Sequence, residues 1–206
     1  MEHFSGKGKF IIIEGGDGAG KTSQINKLKE IYGDTLLVTR EPGGTPFAEE
    51  IRNLALNHPL GKETDGITQL FLMWASRMDH MNKLIIPALA KGVTVICDRF
   101  DSSTYMYQIF GQQDQSLKEL FWTIRKNCLK EFVPDLYVYL EVSPEVGLQR
   151  KQLQKDVVLN HFDNQTIEFH KRVERGIKEF LNYVPHVIVD ANKDFDTVNE
   201  QLKKLL

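Results

Sequence analysis

The chain has 206 residues and a net charge of −2, from 26 Lys and Arg against 28 Asp and Glu, with 41% hydrophobic and 26% charged residues. This balance excludes a disordered chain, a collagen-like repeat and a broad basic field for nucleic acid or an anionic membrane, so a polyanionic ligand has to be held by a local cluster of cations. No apolar run approaches the roughly 20 residues that span a bilayer, and Met1 to Lys9 lacks the apolar region of a secretory signal, so the expected compartment is cytoplasmic.

Five runs rich in β-branched and aromatic residues follow along the chain: Phe10 to Glu14, Thr35 to Thr39, Val93 to Cys97, Leu136 to Val142 and His186 to Val189. Each is apolar nearly throughout instead of alternating, which calls for cover on both faces, as in a parallel sheet between two layers of helices. Helical periods fall between them: Lys21 to Tyr32, Pro46 to Leu56, Thr64 to Ala90 with a break expected near Pro87, Gln115 to Phe132, Pro144 to Leu153, Thr166 to Tyr183 and Phe195 to Leu205. The alternation predicts an α/β fold, a doubly wound five-stranded parallel sheet with helices on both faces and right-handed crossovers. At roughly 150 residues per domain, the length fits a single domain over 1–206. Gln152 to Asn164 fits neither period, and a mobile lid is expected at about 150–164. Cys97 and Cys128 have no metal-ligand company and read as two buried reduced thiols, the histidines show no metal spacing, and Phe121, Trp122, Tyr137 and Tyr139 read as core.

Directly after the first strand stands Gly15-Gly16-Asp17-Gly18-Ala19-Gly20-Lys21-Thr22, which fits G-x-x-x-x-G-K-[ST] in the strand–loop–helix context that the motif requires. Glycines let successive N–H groups turn inward, and the N-terminus of the following helix adds its positive dipole end, so the loop is a nest for phosphate. These residues and Ser23 are the expected ATP site, with Lys21 reaching the β- and γ-phosphates and the Thr22 hydroxyl ligating Mg²⁺. A phosphate loop alone leaves a switch GTPase, an ATPase motor and a small-molecule kinase open. Asn192-Lys193-Asp194 places its acid one residue early for a guanine-reading N-K-x-D, which argues against the first. Asp17 is an unusual residue in a loop that holds anions: it is either a solvated loop-tip acid or a carboxylate aimed at a sugar hydroxyl of a second substrate.

Two further clusters fall at the C-terminal ends of strands, where α/β sheets bind ligands. The second strand runs into Thr39-Arg40-Glu41-Pro42-Gly43-Gly44-Thr45 and the third into Asp98-Arg99-Phe100-Asp101. Asp98 has the place of a Walker B acid, holding Mg²⁺ partly through water, and Arg99 offers a fork for a phosphate. Arg52 and Arg77 lie on flanking helices; each alone reads as a surface charge, and their convergence on one sheet edge would make a polyanion site.

This combination, with Arg77 in Met73-Trp74-Ala75-Ser76-Arg77, resembles the bacterial-type thymidylate kinases of the P-loop nucleoside monophosphate kinase family. The likeness continues through Pro134-Asp135-Leu136, Val142 to Leu148 and Glu168 to Val173, so it covers nearly the whole chain from Phe10 onward. It implies transfer of the γ-phosphoryl group of ATP to dTMP, giving dTDP and ADP, with Mg²⁺ as cofactor and a homodimer as the assembly. It also implies that Asp17 contacts the deoxyribose 3′-hydroxyl, that Arg52 and Arg99 clamp the acceptor phosphate, and that Arg77 bonds the thymine carbonyl. On the same grounds Ser103, Thr104 and Gln108, on a helix after Arg99, face the base and its phosphate, and Glu41 and Pro42 line the cleft.

The chain departs from the family pattern twice. Where members carry an aromatic ring to stack on thymine, this chain has Met73, a thioether that packs more loosely, with Trp74 beside it as the other candidate. Where bacterial-type lids read Asp-Arg-Phe-Glu, it has Asn160-His161-Phe162-Asp163, without the arginine; Arg150, Lys151 and Lys155 are the candidates to replace it, and a mostly neutral His161 is a weak one. Met73 motivates one other reading, a kinase for dUMP or dGMP, and the missing arginine motivates a second, a nucleotide-binding protein with little catalysis.

Overall fold

The computed structural model describes residues 8–152, 162 and 165–206. Strands β1 (Phe10–Gly15), β2 (Leu36–Arg40), β3 (Thr94–Asp98), β4 (Leu136–Glu141) and β5 (His186–Asp190) form one parallel sheet in the order β2-β3-β1-β4-β5. The doubly wound five-stranded sheet expected from the apolar runs is therefore the observed one.

Strand β1 shows why its sequence does not alternate. Successive side chains point to opposite faces of a strand, and both faces here are core: Phe10 and Ile12 pack with Val95, Cys97, Tyr137 and Tyr139, whereas Ile11 and Ile13 pack with Ile96, Val138 and Leu140. Helices α1 (Lys21–Tyr32) and α10 (Phe195–Lys203) cover the second face. The first is covered by α4 (Gly66–His80), α7 (Leu117–Leu129) and α9 (Ile167–Leu181), which bring an aromatic group that includes Phe121, Trp122 and Phe180. The aromatic residues read as core are core: Phe121 and Tyr137 are fully buried, and Trp122 stacks on Phe180 at 5.5 Å and 7°. Both cysteines are free thiols, but of the two expected to be buried only Cys97 is, while Cys128 packs at the margin of the core and is partly exposed.

Short helices complete the fold: α2 (Pro46–Arg52), α3 (Pro59–Lys62), α5 (Ile86–Ala90), α6 (Asp101–Thr104) and α8 (Pro144–Gln152). Their starts follow the local chemistry. Thr45 Oγ1 accepts from Ala48 N at 3.4 Å just ahead of Pro46, and Asp65 Oδ1 caps α4 by accepting from Thr68 N at 2.9 Å. The break expected near Pro87 takes a different form. A π-helical turn over Met81–Ile85 joins α4 to α5, and Pro87 sits in the first turn of α5, so the widened turn absorbs its missing N–H without ending the helix. The helical stretch after Pro46 likewise leaves α geometry at Arg52 and continues as a π-helical turn over Asn53–Asn57.

The strand order positions the site. The chain winds from β1 out to β2, back to β3, and then across to β4 on the other side of β1. A crevice opens at the C-terminal ends of strands where the winding reverses. In register there, Asp98 lies beside Ile13 on one side and Arg40 on the other.

Candidate active site

The loop from Gly15 to Thr22 leaves β1 and enters α1 with no side-chain cap at the helix start. Gly18 (φ 72°) and Gly20 (φ 84°) are left-handed, and a Cβ on Gly18 would collide with the Gly147 carbonyl, so both conformation and space require glycine at 18. Lys21 is buried and donates to the carbonyls of Gly15 at 2.8 Å and Gly16 at 3.0 Å. Burial, then the Arg99 charge, pulls its ammonium below the ordinary lysine range.

The DR sequence closes the other side of the crevice. Thr22 Oγ1 lies 3.3 Å from Asp98 Oδ2, while Asp98 Oδ1 is buried without a hydrogen-bond partner among the described residues. Arg99 has a left-handed backbone (φ 67°) that turns its guanidinium onto two carboxylates: Nη1 donates to Glu14 Oε1 at 3.2 Å and Nη2 to Asp17 Oδ1 at 3.1 Å. Asp17 is thus an ion-pair partner of Arg99, not a solvated loop tip. Burial opposes the Arg99 charge, but Tyr107, Glu14, Asp17 and Asp98 outweigh it and hold the guanidinium protonated.

Glu14 is the anchor of this corner. It is fully buried and also accepts from Gly15 N at 3.0 Å and from the hydroxyls of Ser102 and Ser103, each at 2.8 Å. A second buried carboxylate, Glu41, accepts from Arg77 Nε at 2.8 Å, and Arg77 Nη2 donates to Thr104 Oγ1 at 3.1 Å. Arg52 Nη1 donates to the Pro42 carbonyl at 2.9 Å, after a cis Glu41–Pro42 bond. Burial and the neighbouring Arg40 charge lower the Arg52 pKa, a sign of repulsion that an incoming anion would relieve.

Lys21, Thr22, Ser23, Glu41, Pro42, Arg52, Met73, Arg77, Asp98, Arg99, Ser103, Thr104 and Gln108 line one cleft of about 540 Å³ with Asp17, Gly18 and Gly20. Met73 is at the wall, as its sequence position implies. Trp74 is not a base-stacking ring: its indole is buried beside Phe121, with their centroids 5.9 Å apart, and carries the Arg77 guanidinium 4.5 Å above it. Of the lid candidates, Arg150 donates to the Ala191 carbonyl at 2.8 Å, beyond the end of β5. Lys155 and His161, and the Lys151 side chain, lie outside the described residues, as does most of the expected lid at 150–164.

Sequence reasoning passed over Arg40, Phe100, Tyr107 and Phe162, which also line the cleft. The Arg99 guanidinium sits 5.5 Å from the Tyr107 ring centroid, and Phe162 meets that ring edge-on at 5.3 Å. Glu14 carried a readable signal, a carboxylate inside a strand that is apolar on both faces.

The donor set suits a magnesium ion shared with a nucleotide. Asp98 keeps Oδ1 without a hydrogen-bond partner among the described residues, while its Oδ2 accepts from the Thr22 hydroxyl at the mouth of a phosphate nest. Among the described residues no group of three His, Cys, Asp or Glu side chains could hold a metal ion by itself.

The thymidylate kinase family model matches residues 13–202. Thymidylate kinase of Shouchella clausii is 42% identical over 97% of both chains, and that of a Geobacillus strain is 38% identical over 93% of this chain and 92% of its own. A crystal structure of thymidylate kinase from Ehrlichia chaffeensis superposes with a TM-score of 0.73 at 29% identity, covering 97% of this chain and 98% of that one. A phosphate nest, a DR corner and a cleft of converging arginines stand where the matched sequence runs, and the chain belongs to the thymidylate kinase family, whose reaction is phosphorylation of dTMP to dTDP by ATP.

Proposed function

We propose that this chain carries out the family reaction with the residues of the cleft in defined roles. The observation that carries the reading is the convergence of Lys21, Arg52, Arg77 and Arg99, from four elements, on one cleft beside the phosphate nest. The loop N–H groups and Lys21 cradle the ATP phosphates, and Arg99 and Arg52 clamp the phosphate of dTMP. Asp17, which Arg99 holds, takes the deoxyribose 3′-hydroxyl, and Arg77 takes a carbonyl of the base. Ser103 and Thr104 act largely through neighbours, since their hydroxyls engage Glu14 and Arg77. Gln108 and Met73 shape the base pocket. Such a reaction needs little covalent help: two polyanions are brought together, their repulsion is cancelled, and the attacking phosphate oxygen is aligned on the γ-phosphorus.

Thr22 and Asp98 would hold Mg²⁺, which supplies charge neutralisation on the transferring phosphates. The reading includes a lid at about 150–164, a cytoplasmic location and a homodimer. Exposed Phe47, Leu54, Leu60, Ile67 and Phe71, all between α2 and α4, support the last. No helix among the described residues is long and apolar enough to cross a membrane.

A coupled ADP-release assay with ATP–Mg²⁺ and each of dTMP, dUMP, dCMP, dGMP and dAMP tests the substrate. Preference for dTMP is expected. A flat profile would instead favour a kinase for other deoxynucleotides, for which Met73 in place of a stacking ring is the specific observation. Asp98→Asn, which weakens a cation site without altering its shape, should raise the Mg²⁺ concentration for half-maximal rate about tenfold. An unchanged Mg²⁺ dependence would remove Asp98 from that role.

A further inference from the structure

Behind the cleft wall runs a chain of polar side chains whose first members do not reach the cleft. His80, at the end of α4, is fully buried. Its Nδ1 lies 3.1 Å from Glu41 Oε1 and its Nε2 lies 2.7 Å from Thr39 Oγ1. The other oxygen of Glu41 accepts from Arg77 Nε, and Arg77 Nη1 is buried with no partner among the described residues. Arg77 and His80 stand three residues apart on one helix face, so a single carboxylate reaches both.

The contact with Glu41 fixes which ring nitrogen must donate. Glu41 is a pure acceptor, so the ring needs its proton on Nδ1. A neutral ring with that proton leaves Nε2 as an acceptor, and the Thr39 hydroxyl donates into it. Glu41 thereby sets the proton on Nδ1, and the Thr39 hydroxyl, which can donate or accept, anchors the far nitrogen of the ring. With the proton on Nε2 instead, the ring would turn a lone pair on the carboxylate, a costly contact between two buried side chains. The turn after Pro42 closes over this pair: Gly44 is left-handed (φ 88°), and a Cβ there would collide with His80 Nε2 and Thr39 Oγ1.

We infer that His80 is a positioning residue for the acceptor nucleotide: through Glu41 it fixes the rotation of the Arg77 guanidinium, with Thr39 anchoring the far nitrogen of the His80 ring. The inference rests on the reading that Arg77 meets the base of dTMP. A carboxylate held on both oxygens presents one orientation to the arginine, whereas one held on a single oxygen can rotate and take the guanidinium with it. The cost should fall on the acceptor side, because the side-chain hydrogen bonds of His80 and Glu41 run to Thr39, to each other and to Arg77 on the base side of the cleft.

Four variants test it, with KM for dTMP, KM for ATP, kcat and the thermal midpoint measured for each. His80→Phe removes both ring nitrogens and keeps a planar ring. It should raise KM for dTMP about tenfold, the loss expected for a hydrogen bond to a charged group, with KM for ATP and kcat within about twofold of the parent. His80→Asn places an amide N–H near the former Nδ1 and should recover most of that loss. Thr39→Val removes only the hydroxyl and should raise KM for dTMP about threefold. An unchanged KM for dTMP in His80→Phe, a parallel rise in both KM values, or no recovery in His80→Asn would overturn the inference. Should His80→Phe fail to fold, Thr39→Val decides: a selective rise supports the relay, and no rise overturns it. Arg77→Ala separates the two possible failures. If it raises KM for dTMP while His80→Phe does not, the relay alone is wrong; if it leaves KM unchanged, the role of Arg77 falls and the relay with it.

Discussion

Replacing Arg99 with methionine probes the corner on which the cleft is built. Any side chain other than glycine carries the strain of φ 67° at this position, so Arg99→Met isolates the guanidinium. The replacement leaves Glu14 charged, fully buried and without its cation. Removing one partner of a buried ion pair costs about 3–5 kcal/mol. Glu14 keeps the Gly15 N–H and the hydroxyls of Ser102 and Ser103, which sets the expectation at the lower end, about 3 kcal/mol. For a chain of this size each kcal/mol moves the melting midpoint by about 2–4 °C, so the drop should be about 6–12 °C by calorimetry. Glu14→Gln in the same background neutralises the stranded charge and should return about half of the loss, giving a double-mutant coupling well above the roughly 0.5 kcal/mol of independent sites. The kcat/KM for dTMP should fall by about 10² or more, as when one donor to a developing charge is lost. A stability loss under about 1 kcal/mol, or additive single and double variants, would refute the view that Glu14 is held by Arg99.

Two further outcomes follow from the cleft. Met73→Phe restores a ring at the base wall and should lower KM for dTMP by about two- to tenfold, the range of an aromatic stacking contact; an unchanged or higher KM in initial-rate assays would show that the thioether already fills the place. Lys21 has its pKa lowered by burial and by Arg99, whereas bound phosphates would raise it again. ATP binding at alkaline pH, below the ordinary lysine range, should therefore take up protons, and ATP affinity should fall as pH rises through the lowered Lys21 titration. Calorimetry in buffers of different ionisation enthalpy measures the uptake; its absence in the parent, or its persistence in Lys21→Met, would refute the assignment.

The sheet was legible because its strands are buried on both faces, so their composition alone separates them from the amphipathic helices around them. The segment Asp101–Gly111 was not legible by period, for the opposite reason from a loop: Tyr105, Met106, Gln108, Ile109 and Gly111 are all buried, and a helix enclosed on every side has no polar stripe to mark its turn. Only the family resemblance pointed to a helix there. Pro87 misled in a similar way, since a proline ends a helix only where the neighbouring turn cannot widen. In the site, the phosphate loop could be read because its donors are contiguous. The convergence of Arg52, Arg77 and Arg99 was suspected, but it depends on a strand order that no local pattern encodes. His80 and Tyr107 stayed hidden because each acts on a residue that only the fold brings near; Glu14 stands out as an acid in an apolar strand, but its partner Arg99 does not show in the sequence.

Those hidden residues explain how a cleft for two polyanions can exist before they arrive. Cations gathered for phosphate lose solvent and repel one another: burial and then Arg99 lower the Lys21 pKa, and burial and then Arg40 lower that of Arg52. A free cluster would splay its long side chains into solvent, and each would lose rotamer freedom again on binding. Here two buried carboxylates, Glu14 and Glu41, each take one edge of an arginine and are themselves held by further donors, so the inner edge of each fork is fixed while the rest of it faces the cleft. Preorganised charge of this kind needs no rearrangement when the phosphates meet, and it is worth most where water is excluded. The acids inside this anion site are therefore part of its affinity: neutralising either should weaken acceptor binding, although neither acid carries a charge that attracts it.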